Sequence, residues 1–263
     1  MNTLLKKFVV SVVSVLSDSL VVTTRKVIRY ISSYKYRKLS SKMLNLSSTK
    51  DRFTEIYNSN LWRGEESKSG PGSTLEFTHN LRNNLPIIFL KYKISTIFDA
   101  PCGDLNWMIN VLDDNKKIDY LGGDVVDKII QMNIEKYSSQ RIKFINIDIT
   151  KDSLPNVDLM IVRDCLFHLS FKDIHNFLVE FSRSEIKYLL TTTHILEDDY
   201  VNTDIISGDS RPINIFSSPF NFPSTPLDRI RDYVEPAAPQ EMCLFDRSHI
   251  RTCLEHFEKT SFS

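Results

Sequence analysis

The chain has 263 residues, 41% of them hydrophobic and 11% aromatic, which is enough apolar surface for a globular core and excludes a disordered protein. Its 33 Lys and Arg balance 33 Asp and Glu, but the balance is uneven. Residues 1–50 hold ten basic side chains against one acid, Asp18, leaving 23 basic and 32 acidic residues in the rest. An acidic body of that kind cannot grip a phosphate backbone broadly, so nucleic acid is not an expected partner.

In chain order, residues 4–31 come first. Leu4, Leu5, Phe8, Val9, Val12, Val13, Leu16 and Leu20 share one helical face, with Lys7, Ser11, Ser14 and Asp18 on the other. The apolar run from Phe8 to Val22 is broken by serines and Asp18 and is short for a membrane span. Lys6 and Lys7 precede an apolar stretch as in a signal peptide, but no small-x-small cleavage site follows. Two readings stay open: peripheral contact with anionic headgroups, aided by Arg25, Lys26, Arg29, Lys35, Arg37 and Lys38, or a helix packed on protein. The division expected is a basic amphipathic extension over 1–50 and a catalytic domain over 51–263.

Next comes Ser69-Gly70-Pro71-Gly72-Ser73, which cannot be helical and reads as a linker or as a flank over a ligand. Thr78 is placed to begin a helix. Four apolar runs follow, closing on Asp99, Asp124, Asp148 and Asp164, at spacings of 25, 24 and 16 residues. Apolar runs alternating with amphipathic stretches predict buried parallel strands joined by helices. One helix carries Leu105, Met108, Ile109 and Leu112, and the next Ile129, Ile130, Ile134 and Tyr137. After Asp164, Ser170 is a helix cap with Asp173 three residues on, ahead of the stripe Phe171, Ile174, Phe177, Leu178 and Phe181. Residues 188–193 make a fifth strand and residues 242–245 a late edge strand. The expected fold class is α/β, a doubly wound, mostly parallel seven-stranded Rossmann-like sheet with helices on both faces. Ligands of such sheets lie outside the carboxyl ends of the strands, where all four acids fall.

The nicotinamide fingerprint G-x-G-x-x-G is absent: Gly103 stands alone, with Pro101 and Leu105 nearby. The stretch Asp99-Ala100-Pro101-Cys102-Gly103-Asp104 instead resembles motif I of class I S-adenosylmethionine-dependent methyltransferases. The likeness extends over residues 55 to 245, through Trp62, the Ser69 segment, Trp107, Asp124, Asp148-Ile149-Thr150, residues 158–169 and residues 208–223. It is similar to a subgroup with the motifs DaPCGD-x-x-W and RDxLxHL that accompanies polysaccharide assembly.

That resemblance implies S-adenosylmethionine as cofactor. Gly103 would admit its methionine carboxylate near a helix start, Asp124 would accept the ribose hydroxyls, and Asp148 with Ile149 would read adenine. Asp99, Ala100, Val125 and Arg163 complete the expected cofactor set, with loop orientation as the other reading of Asp99. The implied reaction is O-methylation of a sugar or glycan intermediate. Methylation of a small metabolite or a protein, or a non-catalytic binding subunit, are the alternatives.

On the acceptor side, Asp164 and His168 are spaced to share a cleft, with Asp164 orienting an imidazole that accepts a hydroxyl proton. Packing beneath the helix is the other reading of His168. His194, at the end of the fifth strand, is a further catalytic candidate, and His175 is expected on the solvated surface. Asp164 with Asp198, Asp199 or Asn202 could hold magnesium, though no second motif supports a metal and none is favoured. The long polar insertion over residues 202–223 suits a polyhydroxyl substrate or simply covers the sheet edge. The four cysteines, 102, 165, 243 and 253, lack metal-ligand spacing and are expected as free thiols in a cytoplasmic setting.

Overall fold

Strand-forming segments take up the apolar runs in the computed structural model, which describes residue 41 and residues 45–62 and 64–261. The expected extension helix over residues 4–31 lies outside the described residues. Seven strands form one sheet: β1 Thr96–Asp99, β2 Asp119–Asp124, β3 Ile142–Asn146, β4 Leu159–Val162, β5 Tyr188–His194, β6 Asp228–Arg231 and β7 Gln240–Asp246. Their order is β3-β2-β1-β4-β5-β7-β6. The first five are parallel, and β7 runs antiparallel to both β5 and β6. Residues Leu46–Ser263 form one compact unit.

Among the described residues, the α-helices packed on this sheet are α1 Thr49–Asn58, α2 His79–Lys91, α3 Met108–Asp114, α4 Asp127–Tyr137, α5 Phe171–Arg183 and α6 Arg247–Ser261. Side chains along a strand point alternately to opposite faces, and two cores result. Ile97, Leu159, Ile161, Leu190 and Leu244 meet α2, α3 and α4 on one face. Phe98, Met160, Val162, Leu189 and Phe245 meet α5 and α6 on the other. The α5 stripe is fully buried at Ile174, Phe177, Leu178 and Phe181, each side chain contributing about 1.5 to 3 kcal/mol before entropy is counted. Ser170 caps that helix, accepting the Asp173 amide at 3.1 Å.

Four expectations need correction. Pro71–Ser73, within the segment expected as non-helical, forms a single 3₁₀ turn. Residues 242–245 do not make an edge strand, because β6 pairs outside β7. The sequence Asp-Arg-Ile-Arg of β6 buries only Ile230, so no apolar pattern announces it. The helix expected from Leu105 begins at Met108, since Leu105 adopts φ +60° inside the preceding loop. His175 is half-buried rather than solvated, its ring 5.1 Å from that of Phe257. Among the described residues, no helix is long and apolar enough to cross a membrane.

Candidate functional site

Parallel strands deliver their carboxyl ends to one edge, and the loop after β1 crosses that edge first. The Cys102 amide donates to the Gly123 carbonyl at 2.8 Å, drawing the loop over β2. Gly103 then takes φ +52°, and a Cβ there would come within 2.2 Å of Ser69 Oγ. Glycine relieves both the close contact and the left-handed backbone. Its carbonyl accepts Asn133 Nδ2 at 2.7 Å.

The Asp124 carboxylate ends β2, accepting the Gly103 amide at 3.3 Å and the Val126 amide at 2.9 Å. Burial pushes its pKa up to about 6, against the pull of those amides. The Val125 amide also acts on the carboxylate, and among the described residues no cation pairs with it. Asp99 accepts the Tyr120 hydroxyl at 2.8 Å, and burial pushes its pKa up to about 7. The Asp148 carboxylate caps its own turn, taking the Thr150 amide at 3.0 Å, the Thr150 hydroxyl at 2.6 Å and Lys151 at 2.8 Å. Burial raises its pKa, but Lys151 and Thr150 outweigh that and hold it below the usual range. Ala100 and Ile149 are buried nearby, and Val125 is half-buried.

The Ser69 segment is clipped onto the β1 loop by side chains that pattern reading missed. Asp104 accepts Ser67 Oγ at 2.8 Å and the Lys68 amide at 2.9 Å. Asn106 donates to Glu66 at 2.6 Å and to the Ser73 carbonyl at 3.0 Å. The segment thus flanks the strand ends.

Arg163 follows β4, and its guanidinium is wholly engaged. It donates to both oxygens of Asp232, at 2.7 and 3.2 Å, and to the Gly72 carbonyl at 2.8 Å. It lies 3.2 Å from Asp164 and is flanked by the rings of Trp107 and Phe77, at 5.5 and 5.9 Å. Both Arg163 and Asp232 are buried, so each neutralises a charge the interior would otherwise reject. Asp232 sits between β6 and β7, and nothing local marked it in the sequence.

Asp164 adopts φ +49°, accepts Gln240 Nε2 at 3.0 Å, and donates its amide to Thr192 Oγ1 at 2.9 Å. It is not the group that orients His168. That ring's Nδ1 lies 2.8 Å from the Asp209 carbonyl, and a carbonyl only accepts, so Nδ1 carries the hydrogen. A proton can therefore be taken up only at Nε2. Burial lowers the pKa of His168, keeping it neutral at pH 7. Its ring packs between Phe167 and Trp62, at 4.4 and 5.4 Å.

His194 has the opposite tautomer. Its Nδ1 accepts the Ile213 amide at 3.2 Å, so in the neutral ring Nε2 carries the hydrogen and donates. Phe167 stands 5.2 Å from it, and the two histidines thus flank one aromatic ring. The alternative metal set is not assembled. Asn202 donates to the Asn214 and Ser218 carbonyls at 2.8 Å each, and its oxygen accepts the Asn214 amide at 2.9 Å. Asp198 and Asp199 are exposed, and among the described residues no three His, Cys, Asp or Glu side chains gather around a common point.

No family model and no curated protein matches the chain. Solved structures do. Magnesium protoporphyrin IX methyltransferase from Synechocystis PCC 6803 with bound SAH is 9% identical with a TM-score of 0.55, the match covering 75% of this chain and 97% of that one. The methyltransferase domain of a bacterial CtHen1 is 14% identical with a TM-score of 0.50, covering 65% of this chain and 99% of that domain. PigF with SAH is 11% identical with a TM-score of 0.50, covering 75% of this chain and 59% of its own. Together with the strand order, these likenesses establish that the chain has the class I methyltransferase fold.

Proposed function

We propose that this chain is an S-adenosylmethionine-dependent methyltransferase that methylates a hydroxyl oxygen, with a sugar or glycan intermediate as acceptor. One observation carries the cofactor half: Asp124, buried at the carboxyl end of β2 with no cation beside it, keeps acceptor capacity facing the Gly103 crossing. A carboxylate in that state fits a pair of ribose hydroxyls, which donate without bringing charge. The glycine at 103 lets the Ser69 side chain close over the β1 loop beside that carboxylate. Asp148 and Ile149 lie beyond the neighbouring strand, where an adenine would meet an acceptor and an apolar wall. Arg163 and Asp99 serve by holding the strand ends and loops in place.

Bound S-adenosylmethionine supplies a sulfonium methyl group for in-line displacement by a nucleophile. The task left to the protein is to align the acceptor and remove its proton. His168 does the second: with Nδ1–H fixed on the Asp209 carbonyl, Nε2 takes the hydroxyl proton. His194, whose Nε2–H is a donor, positions acceptor oxygens. The nearby Asp164 charge favours the imidazolium that forms. Support for a glycan comes from the sequence resemblance and the polar makeup of the insertion, whose Phe220 and Phe222 rings are taken up by the core.

The test is transfer from methyl-labelled S-adenosylmethionine to a polysaccharide-precursor panel, with small metabolites and proteins as comparison. Label in the carbohydrate supports the reading. Cofactor binding with no transfer to any acceptor makes the chain a binding subunit instead. We also propose that the basic segment over residues 4–31 contacts anionic membrane surfaces, supported by its charge pattern. Removal of residues 1–30 should then reduce sedimentation with phosphatidylserine vesicles, and unchanged sedimentation would refute it.

A further inference from the structure

The strap from Gly208 to Ile213 is tied at several points to the two histidine segments. The Gly208 amide donates to the His168 carbonyl at 2.8 Å, and the Asp209 carbonyl holds the His168 ring. The Arg211 amide donates to the Phe167 carbonyl at 3.2 Å. At the far end Ile213 exchanges hydrogen bonds with His194 through main chain and ring. Arg211 therefore lies on the strap between the residue bonded to the candidate base and the residue bonded to the candidate donor.

Arg211 is only 8% exposed, and among the described residues no carboxylate forms an ion pair with its guanidinium. Nε donates to the Thr203 carbonyl at 3.1 Å and Nη1 to the Leu166 carbonyl at 3.0 Å, while the Phe171 ring lies 5.6 Å from the guanidinium. Nη2 is buried without any acceptor. The nearest acids, Asp204 and Asp209, act on the guanidinium only from beyond ion-pair distance. Asp204 accepts the Phe171 and Ile205 amides at 2.7 and 2.8 Å, and Asp209 accepts the Ser210 amide at 2.9 Å. Arg163 makes the contrast plain, for its equally buried guanidinium has the whole of Asp232. A buried guanidinium without a paired carboxylate is poorly compensated, and a planar oxyanion offsets that by bidentate pairing.

We infer that Arg211 binds an acidic group, a carboxylate or a phosphate, on the methyl acceptor, so that the substrate is an anionic sugar rather than a neutral one. This rests on the reading of the His168 and His194 region as the acceptor site. The anion compensates the guanidinium and anchors the sugar between the two rings.

The test is calorimetric titration of the whole chain, saturated with S-adenosylhomocysteine, with glucose, glucuronate and glucose 1-phosphate. Wild-type protein should bind one or both acids at least about tenfold more tightly than glucose, and Arg211→Gln should erase that preference. Which acid wins distinguishes carboxylate from phosphate. Because Arg211 also holds the strap, the unmutated protein with ¹⁵N-labelled arginine supplies a second readout: a guanidinium resonance should shift with the preferred acid and not with glucose. Equal or absent binding of all three sugars, or no shifted resonance, overturns the inference. So does a tenfold loss of S-adenosylhomocysteine affinity in Arg211→Gln, which would place the residue on the cofactor. If wild-type protein fails to bind the cofactor but keeps the Arg211-dependent preference for acids, the methyltransferase reading falls and the anion site stands.

Discussion

The two halves of the strand-end site are held in different ways. Around β1 to β3, each acid is fixed by its own turn or by the adjoining strand: Asp148 by Thr150 and Lys151, Asp124 by Val126 and Gly103, Asp99 by Tyr120. Beyond β4 the partners come from remote chain. Arg163 reaches Asp232, Asp164 reaches Gln240, and His168 reaches Asp209, separations of 69, 76 and 41 residues. The first half is a repeating parallel unit that recurs across the fold. The second is assembled by the insertion and the antiparallel β6 and β7, the parts free to differ between acceptors.

Breaking the remote half should therefore cost stability without touching the cofactor half. Asp232→Ala leaves Arg163 charged and buried without its carboxylate, and an unfolding free energy lower by about 3 to 5 kcal/mol is expected in urea titration. The folded fraction should still bind S-adenosylmethionine with unchanged affinity. Loss of cofactor affinity in proportion to stability would mean that the halves are one unit.

His168→Asn separates the halves by chemistry. Asparagine keeps a donor for the Asp209 carbonyl but cannot accept the proton, so single-turnover transfer should fall about a hundredfold or more while cofactor affinity barely moves. Burial lowers the pKa of His168, so the wild-type rate should decline only on acidification below the ordinary histidine range, as the imidazolium forms. Near-normal turnover in the variant would make His168 a packing residue.

Asp99→Asn sharpens the other half. The folded carboxyl has a pKa of about 7 against 3.8 unfolded, so the folded state holds its proton longer as pH rises. Wild-type stability therefore declines across that window, and an asparagine, which does not titrate, escapes the decline. Relative to wild type, the variant should gain about 1 to 3 kcal/mol between pH 4 and pH 8 in thermal unfolding. A gap independent of pH would mean that Asp99 stays ionised throughout.

Legibility in the sequence follows the same division. Apolar runs closing on Asp99 and Asp124, and the cap at Ser170, announce their own local structure, so five parallel strands and α5 could be read directly. β6 could not, since Asp228, Arg229 and Arg231 face outward or lie only partly covered and leave one apolar residue as signal. Asp232, Gln240 and Arg211 sit in stretches without periodicity, and their partners appear only when chain 45 to 76 residues away folds back. Spacing alone placed Asp164 and His168 together. The left-handed backbone at Asp164 turns its carboxylate to Gln240 and Arg163 instead, and a main-chain carbonyl takes the orienting role.

The central claim is that the β2 carboxylate holds the cofactor, and the measurement closest to it is calorimetric titration of S-adenosylmethionine into wild-type protein and Asp124→Ala. Binding by the wild type, weakened by about 1 to 3 kcal/mol in the variant with the fold intact, is expected from lost charge-assisted hydrogen bonds. Because the Asp124 pKa is raised to about 6, wild-type affinity should also fall as pH drops below that value, converging on the variant. A wild type that does not bind, or a variant that binds equally well at pH 8, would contradict the account.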